Sequence, residues 1–304
     1  CETNQTKRLQ AEIAVQMIDA EFIPTDDLYA IATAGSELLM YDHHLDALQA
    51  VKTPVAIQCL CWNRASRVLC SGDRNGNLSI WICERSPTDI LKRSWDLHDS
   101  PTVVIDCHDE VGTIAIGFLD GTVCVVHPVT GRKERVFNAG GSLNCLAISE
   151  HQNSIICGTG NVDPGVWTLG ACVDSKPFPL QSRANPHVGP VVSVLCFSQS
   201  AQAISVDFSG VLKIWDLRTF TCLQTYQLRM RDPKVCWQCL AHSTVCNGIF
   251  FCDRKSVMCL NLLNEEEQHE KKGYVSHIAH SNLTGKILST NINSLCLWET
   301  DEGQ

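Results

Sequence analysis

The amino-acid sequence predicts an all-β fold, a seven-bladed β-propeller of four-stranded antiparallel blades. The first observation is an internal repeat: the strand ending GVLKIWD, at Gly210–Asp216, recurs in degenerate form along the whole chain. The second is a run of small apolar residues that precedes each copy by about twenty residues, at a fixed place in the repeat. The apolar runs are short, are separated by turn-forming residues and have no helical periodicity, which is typical of an all-β repeat protein.

Seven residues anchor the repeat, each at the end of a predicted third strand. They are Tyr41, Trp81, Val126, Trp167, Trp215, Cys259 and Trp298. Their successive separations are 40, 45, 41, 48, 44 and 39 residues, so no copy is skipped between the first anchor and the last. This period is that of one propeller blade with four strands, and it predicts one propeller domain over residues 1–304.

Each repeat supplies its strands in the same order, which we call a, b, c and d. Strand a carries cysteine in five repeats, at Cys59 and Cys61, Cys107, Cys145, Cys196 and Cys239. Strand b follows as a second apolar run such as RVLCSG or TIAIGF, and strand c carries the anchor. TFTCLQTYQL and RKERVFNA are predicted outer strands d of two blades.

The last repeat ends soon after its anchor and lacks a strand d of its own. We expect residues within Lys7–Ile13 to supply it and so to close the ring, leaving no interior sheet edge without a partner. The chain begins with Cys1 and not with methionine, which suggests a piece of a longer protein.

The chain resembles the WD-repeat (WD40) β-propeller family over essentially all of its length, and Trp215-Asp216 is the intact dipeptide of that pattern at an anchor. Trp95-Asp96 lies only 14 residues after Trp81 and is placed in an outer strand instead. The resemblance implies structural ties between polar residues of a blade. It assigns His98 and Asp120 to such a tie in blade 3. In blade 5 it assigns His187 and Trp215, with Ser209 where the turn aspartate is expected.

The 18 cysteines fall within predicted strands at equivalent repeat positions, so we interpret them as small apolar core residues and not as disulfide partners. Such thiols indicate a reducing compartment, the cytoplasm. Cys236 and Cys239 have metal-ligand spacing, but residues three apart in a strand point to opposite faces, so no metal site is predicted there. No cofactor is predicted either.

Charge and catalytic patterns exclude several function classes. The formal net charge is -9, which gives no case for binding nucleic acid. No apolar run is long enough to insert in a membrane. No nucleophile motif or Cys–His–Asn arrangement is present, and the predicted inner strands are rich in Cys, Val, Ile, Leu and Ala, so the chain is predicted not to be an enzyme. An enzymatic or small-ligand-binding propeller that uses the channel mouth is the alternative.

The remaining class is a scaffold that holds other proteins on the rims of the propeller, as the WD-repeat resemblance implies. The degenerate repeats and the stretch KIWDLRTFTCLQTYQ are similar to large WD-repeat proteins of cilia and axonemes, which adds a ciliary or cytoskeletal location. Similar strings occur in WD-repeat proteins of vesicle traffic, signalling and ubiquitin ligase assembly, and those alternatives stay open.

A candidate partner surface follows from the topology of a WD-type blade, in which d–a connections and b–c turns share one rim. That places Phe208 beside Arg229, Arg231 and Lys234. Aromatic and arginine residues are common anchors of interfaces, and a basic cluster on an acidic protein steers an acidic partner segment. In the alternative, Phe208 packs into its own turn and the cations are solvated.

Overall fold

The structure is a computed structural model of the 304-residue chain. It describes residues 8–12, 16–24, 28–83, 91–108, 110–152, 154–160, 169–173, 176–179, 187, 189–197, 200–228, 240–243, 248–253, 256–261, 267–272, 277–280, 286–290 and 294–299. All structural statements below refer to these residues.

The described residues form seven four-stranded antiparallel sheets, which are the blades of a β-propeller. Blades 1 to 3 consist of the strands β2 (Met17–Ile23), β3 (Leu28–Thr33), β4 (Glu37–Tyr41) and β5 (Ala47–Lys52); β6 (Ile57–Asn63), β7 (Val68–Asp73), β8 (Asn77–Trp81) and β9 (Leu91–Asp96); β10 (Thr102–Cys107), β11 (Ile114–Phe118), β12 (Thr122–Val126) and β13 (Lys133–Asn138).

Blades 4 to 6 follow the same order along the chain. Their strands are β14 (Leu143–Ser149), β15 (Ser154–Thr159), β16 (Leu169–Val173) and β17 (Lys176–Pro179); β18 (Val191–Cys196), β19 (Gln202–Asp207), β20 (Val211–Asp216) and β21 (Thr221–Gln227); β22 (Ala241–Ser243), β23 (Gly248–Asp253), β24 (Ser256–Asn261) and β25 (Glu267–Lys272). Blade 7 contains β26 (His277–His280), β27 (Lys286–Thr290), β28 (Ser294–Glu299) and the N-terminal strand β1 (Arg8–Glu12).

The N-terminal strand closes the ring, as the sequence predicts. Strand β1 pairs antiparallel with β28, with Arg8 opposite Trp298 and Glu12 opposite Ser294. Blade 7 therefore takes its inner three strands from the end of the chain and its outer strand from the beginning. The all-β class, the four-stranded antiparallel blades and this mode of closure are confirmed.

The repeat is visible in the irregularities of the backbone as well as in the strands. A β-bulge interrupts the a–b ladder near the start of strand a in five blades, for example between Met17 and Asp19 and between Ile57 and Cys59. A second bulge interrupts the c–d ladder beside the anchor, as at Trp81 and Trp215. Bulges increase local twist, so their repetition gives each blade the same twist from inner to outer strand.

Apolar side chains between neighbouring sheets form the core. Strands β2, β6, β10, β14 and β18, each the first of its blade, contact one another in sequence around the channel. Between these blades lie apolar clusters, such as the one that joins Leu78 of blade 2 to Ile116 of blade 3. Another cluster joins Tyr29 of blade 1 to Leu297 of blade 7 and completes the circuit. Each sheet is covered on both faces by its neighbours, which explains strands that are buried along their whole length.

Strand b carries glycine where the next blade approaches most closely. A Cβ at Gly72 would lie 2.6 Å from Thr102 Oγ1 in the next blade, and one at Gly158 would lie 2.9 Å from Val191 Cγ1. Both separations are shorter than a carbon side chain allows. Side chains of the next blade therefore pack directly on the backbone of strand b at these two glycines.

Two of the predicted anchors are wrong. In blade 4 strand c is Leu169–Val173, so the anchor position lies after Trp167, which is itself outside the described residues. More residues separate β15 from β16 than separate strands b and c in the other blades. In blade 6 the residue that pairs like an anchor is Leu260, opposite Ile249. Cys259 lies one residue earlier, opposite Phe250 on the other face of the sheet.

The tryptophans follow the predicted pattern where their side chains are described. Trp81 is 4% exposed and Trp215 is 1% exposed, whereas Trp95 lies in outer strand β9 and is half-buried. The side chain of Trp298 is outside the described residues, although its backbone pairs with Ile287 as an anchor does.

Deleting residues 1–12 tests the closure. The deletion removes β1 and leaves the edge of β28 unpaired, so we expect aggregation or a loss of about 3–5 kcal/mol of stability, on the order of one kcal/mol for each backbone hydrogen bond. Thermal denaturation and light scattering measure both outcomes. Removing only Cys1–Gln5, which precede β1, is the matched control and should leave the melting temperature unchanged. Equal melting temperatures for the two truncated proteins would show that β1 does not close the ring.

Candidate functional site

One rim of the propeller is built from b–c turns and the connections that follow the outer strands. A backbone hydrogen bond ties the two together in four blades, from Thr53 N to Ser36 O, Leu97 N to Gly76 O, Ala139 N to Gly121 O and Leu228 N to Gly210 O. The turn glycines have positive φ, for example 81° at Gly210. A Cβ at Gly76 would lie 1.8 Å from the carbonyl oxygen of His98 in the connection, so only glycine fits.

Blade 5 carries a complete polar tie beneath this rim. His187 lies in the connection that leads into β18, and its ring is 2.7 Å from Ser205 Oγ through Nε2 and 3.2 Å from Asp207 Oδ2 through Nδ1. Trp215 Nε1 donates to the same serine oxygen at 2.8 Å. The side chains of His187 and Asp207 are 2% and 0% exposed. The tie therefore joins the connection to strands b and c of its own blade.

The directions of these hydrogen bonds follow from the donors present. The indole N–H of Trp215 only donates, so Ser205 Oγ accepts it and its own proton points to His187 Nε2. The remaining ring nitrogen, Nδ1, then donates to the Asp207 carboxylate. Each of these buried polar groups therefore has a hydrogen-bond partner within the tie.

Blades 2 and 3 carry parts of the same arrangement. In blade 2 Trp81 Nε1 donates to Ser71 Oγ at 2.7 Å. Thr53 precedes strand a of this blade by four residues, as His187 precedes β18, but its hydroxyl donates to Val55 O. In blade 3 His98 Nε2 is 2.7 Å from Asp120 Oδ2, and both side chains are partly exposed. Partial burial acts to raise the pKa of Asp120. The hydrogen bonds from His98 and Thr122 outweigh it and lower this pKa below its ordinary value.

The turn of blade 5 corrects the assignment of its aspartate. Ser209 was expected to stand where the turn aspartate belongs, but Asp207 holds that role two residues earlier. Its Oδ1 accepts the backbone N–H groups of Ser209 and Val211, each at 2.9 Å. An aspartate that caps its own turn in this way needs no acidic residue inside the turn.

The predicted partner surface is described only in part. Phe208 is partly buried and packs against the apolar cluster between blades 5 and 6. Gln227 Nε2 donates to Ser209 O at 3.1 Å, so the outer strand ends against this turn. Arg229, Arg231 and Lys234 lie outside the described residues. The side chain of Phe208 is thus partly packed against the blade and partly exposed to solvent.

Carboxylates on the inner strands link blades across the channel wall, which the sequence did not predict. Asp19 of blade 1 accepts the N–H of Leu60 in blade 2 at 2.7 Å, and Asp106 of blade 3 accepts that of Ile148 in blade 4 at 2.6 Å. Strand a is the inner edge strand of each blade, so alternate N–H groups along it have no ladder partner. Desolvation in the channel wall raises the pKa of Asp19 to about 7.

A cavity of about 230 Å³ opens between the inner strands of blades 3, 4 and 5, lined in part by Asp106, Glu150, Cys107 and Cys196. The inner strands, which the sequence shows to be rich in Cys, Val, Ile, Leu and Ala, thus also place the carboxylates of Asp106 and Glu150 at this cavity. Hydrogen bonds with neighbouring thiols, together with burial, raise the pKa of Cys107 well above its ordinary value. Burial does the same for Cys196.

The cysteine predictions hold where the side chains are described. Cys59, Cys107 and Cys145 are buried, and Cys61 and Cys196 are partly buried in the inner strands. Cys236 and Cys239 lie outside the described residues. Within the part of the chain that the structure describes, no group of three or more His, Cys, Asp or Glu side chains is placed to hold a metal ion.

Comparison with known proteins links the chain to a ciliary protein. No family model matches the sequence. The chain is 22% identical over 266 residues to cilia- and flagella-associated protein 337 B of Tetrahymena thermophila. The match covers 82% of this chain and 21% of that protein, so the chain spans about a fifth of the length of its relative. No helix among the described residues has the length and apolar character needed to cross a bilayer.

Replacing Ser205 by alanine tests the complete tie. The change leaves Trp215 Nε1 and His187 Nε2 without their partner in a buried site, so we expect a loss of about 2–4 kcal/mol in the free energy of unfolding. Ser71→Ala in blade 2 is the matched control, because it leaves only the Trp81 indole unsatisfied and should cost about 1–2 kcal/mol. Urea denaturation measures both. Equal losses would show that His187 adds nothing to the tie.

Asp19→Asn tests the pKa of the channel carboxylate. Because the folded pKa of about 7 lies above the ordinary value, the folded state binds the proton more tightly. The stabilisation is present below about pH 4 and is lost as the pH rises through 7, by at most about 1.4 kcal/mol per pH unit. Relative to Asp19→Asn, the wild type should therefore lose stability from pH 4 to 7. A stability difference between the two proteins that stays constant from pH 4 to 7 contradicts the assignment.

Proposed function

We propose that this chain is a non-catalytic protein-interaction scaffold, a single WD-type propeller that holds protein partners on its rims within an assembly of the cilium. The observation that carries the proposal is the relationship over 82% of the chain to a cilia- and flagella-associated protein. The propeller fold supports it, because a ring of closely packed blades presents many loops at fixed positions. Such a surface suits the simultaneous binding of several proteins.

The construction of the rim supports binding without a conformational change. In four blades a backbone hydrogen bond holds the b–c turn to the connection that follows the outer strand. In blade 5 the buried tie of His187 also fixes the connection that precedes β18 to the sheet. Loops that are ordered before binding lose less conformational entropy in the complex, so their contacts contribute more to affinity.

The chemistry of the channel cavity supports a role without catalysis. Both oxygens of Asp106 accept backbone N–H groups, from Cys107 at 2.9 Å and from Ile148 at 2.6 Å, which is a structural use of the carboxylate. The thiols of Cys107 and Cys196 have raised pKa values and stay protonated near neutral pH, whereas a nucleophilic cysteine needs its thiolate. The buried thiols also suit a reducing cytoplasmic or axonemal location.

We propose the blade 5 rim as the partner surface, with Phe208 at the turn and Arg229, Arg231 and Lys234 in the connection that begins at Leu228. Leu228 N donates to Gly210 O at 2.9 Å, so this connection starts against the Phe208 turn. Basic residues beside a partly exposed aromatic ring favour a partner segment that is acidic.

Affinity purification from ciliated cells, followed by mass spectrometry of recovered proteins, tests the scaffold function. We expect a defined set of ciliary proteins with the wild type, and fewer of them with Phe208→Ala or with Arg231→Ala. Leu119→Ala is the matched control, since Leu119 is 49% exposed at the equivalent turn of blade 3. Recovery of no protein above an unrelated propeller would contradict the scaffold function. Equal recovery by all variants would contradict the blade 5 rim.

A further inference from the structure

We propose that the groove between the outer strands of blades 2 and 3 binds an extended acidic segment of a partner protein. The proposed outer groove is lined by Arg93 and Trp95 of β9 and by Val129, Arg132, Lys133 and Val136 of blade 3. It rests on the proposed scaffold function, and it lies on the circumference of the ring, apart from the rim at Phe208.

Contacts between the two blades hold the groove in shape. Arg93 donates from its guanidinium to the carbonyl oxygen of Val129, in the turn that joins β12 to β13. In the opposite direction, Lys133 donates from its ammonium to the carbonyl oxygen of Leu97, at the end of β9. Each blade therefore contributes one cation that is anchored on the backbone of the other.

The floor of the groove is aromatic. Trp95 is half-buried, and its ring lies over Gly131, where a Cβ would be only 2.4 Å from Trp95 Nε1. Gly131 also has a φ of 67°, in the region that favours glycine. On blade 3, the apolar side chain of Val129, whose carbonyl oxygen binds Arg93, is 56% exposed, and that of Val136 in β13 is 51% exposed. The floor therefore offers a place for one apolar side chain of a ligand.

The charges of the groove favour an anionic ligand. Arg93, Arg132 and Lys133 are exposed, and the anchored Arg93 and Lys133 each retain N–H donors beyond the one used on a carbonyl. Asp96 does not oppose them, because it shares the other face of β9 with Ser94, which is bonded to Ser79 at 3.0 Å. One acidic residue, Glu134, lies among the basic residues 132–135, at the bulge of β13.

The form of the ligand follows from the sheet and from the charge of the whole chain. Among the described strands, β13 is the last of its sheet, and an extended segment can pair with its outer edge. The formal net charge of -9 opposes a long polyanion or an anionic membrane, which would meet the whole surface. A short acidic segment with one apolar residue meets only the groove.

Fluorescence anisotropy with a labelled peptide EEEFEEE tests the proposal on the full chain. We expect saturable binding that weakens with salt, and a loss of about tenfold or more for the double variant Arg132→Glu/Lys133→Glu, since two attractive pairs become repulsive. Lys52→Glu/Arg74→Glu is the matched control, because both residues are exposed, lie outside the groove and change the net charge equally. This control should change affinity less than about twofold.

Absence of saturable binding, or an equal loss in the two double variants, overturns the proposal. Tighter binding of a thymidine oligonucleotide or of phosphatidylserine vesicles than of the peptide also overturns it. Failure of the scaffold function is distinguishable, because the cell-derived partners are then missing while the peptide still binds. If the partners are recovered and the peptide does not bind, only the outer groove is wrong.

Discussion

The pairing of β1 with β28 is the interaction on which the rest of the molecule depends. A row of twisted sheets buries both faces of every sheet only when the last sheet meets the first. The cluster that joins Tyr29 to Leu297 exists because the ring is closed. With closure, the buried faces of all the sheets belong to one cooperative unit, and the unpaired edges of the blades lie along the channel and on the circumference.

Closure also explains where polar groups concentrate. Inner strands have alternate backbone N–H groups without a strand partner, and carboxylates from the preceding blade accept two of them, at Leu60 and Ile148. At the rim, turns and connections must be held without a ladder, and the ties of Ser71 and Ser205 serve there. The hydrogen bonds thus stabilise those parts of a blade that neither the sheet nor the apolar clusters can hold.

The sequence predicts the fold well because strand order, blade period and apolar alternation are local properties. It predicts His187 and Trp215 as parts of a tie for the same reason. The prediction of an anchor is wrong where the number of residues between strands b and c changes, as before Leu169. It is also wrong where the alignment slips by one residue, because the side chain then lies on the opposite face of the sheet, as at Cys259. The roles of Asp19 and Asp106 depend on contacts between blades some forty residues apart, and no local pattern contains that information.

The antiparallel register of β1 and β28 has a mechanical consequence. Because Arg8 lies opposite Trp298, the chain enters β1 and leaves β28 at the same end of the paired strands. Tension applied between these two points loads the strand pair in the unzipping geometry, so its backbone hydrogen bonds break one after another and not together. The ring therefore yields at low force along a defined seam, starting at Arg8, while the ladders within the other blades carry no load.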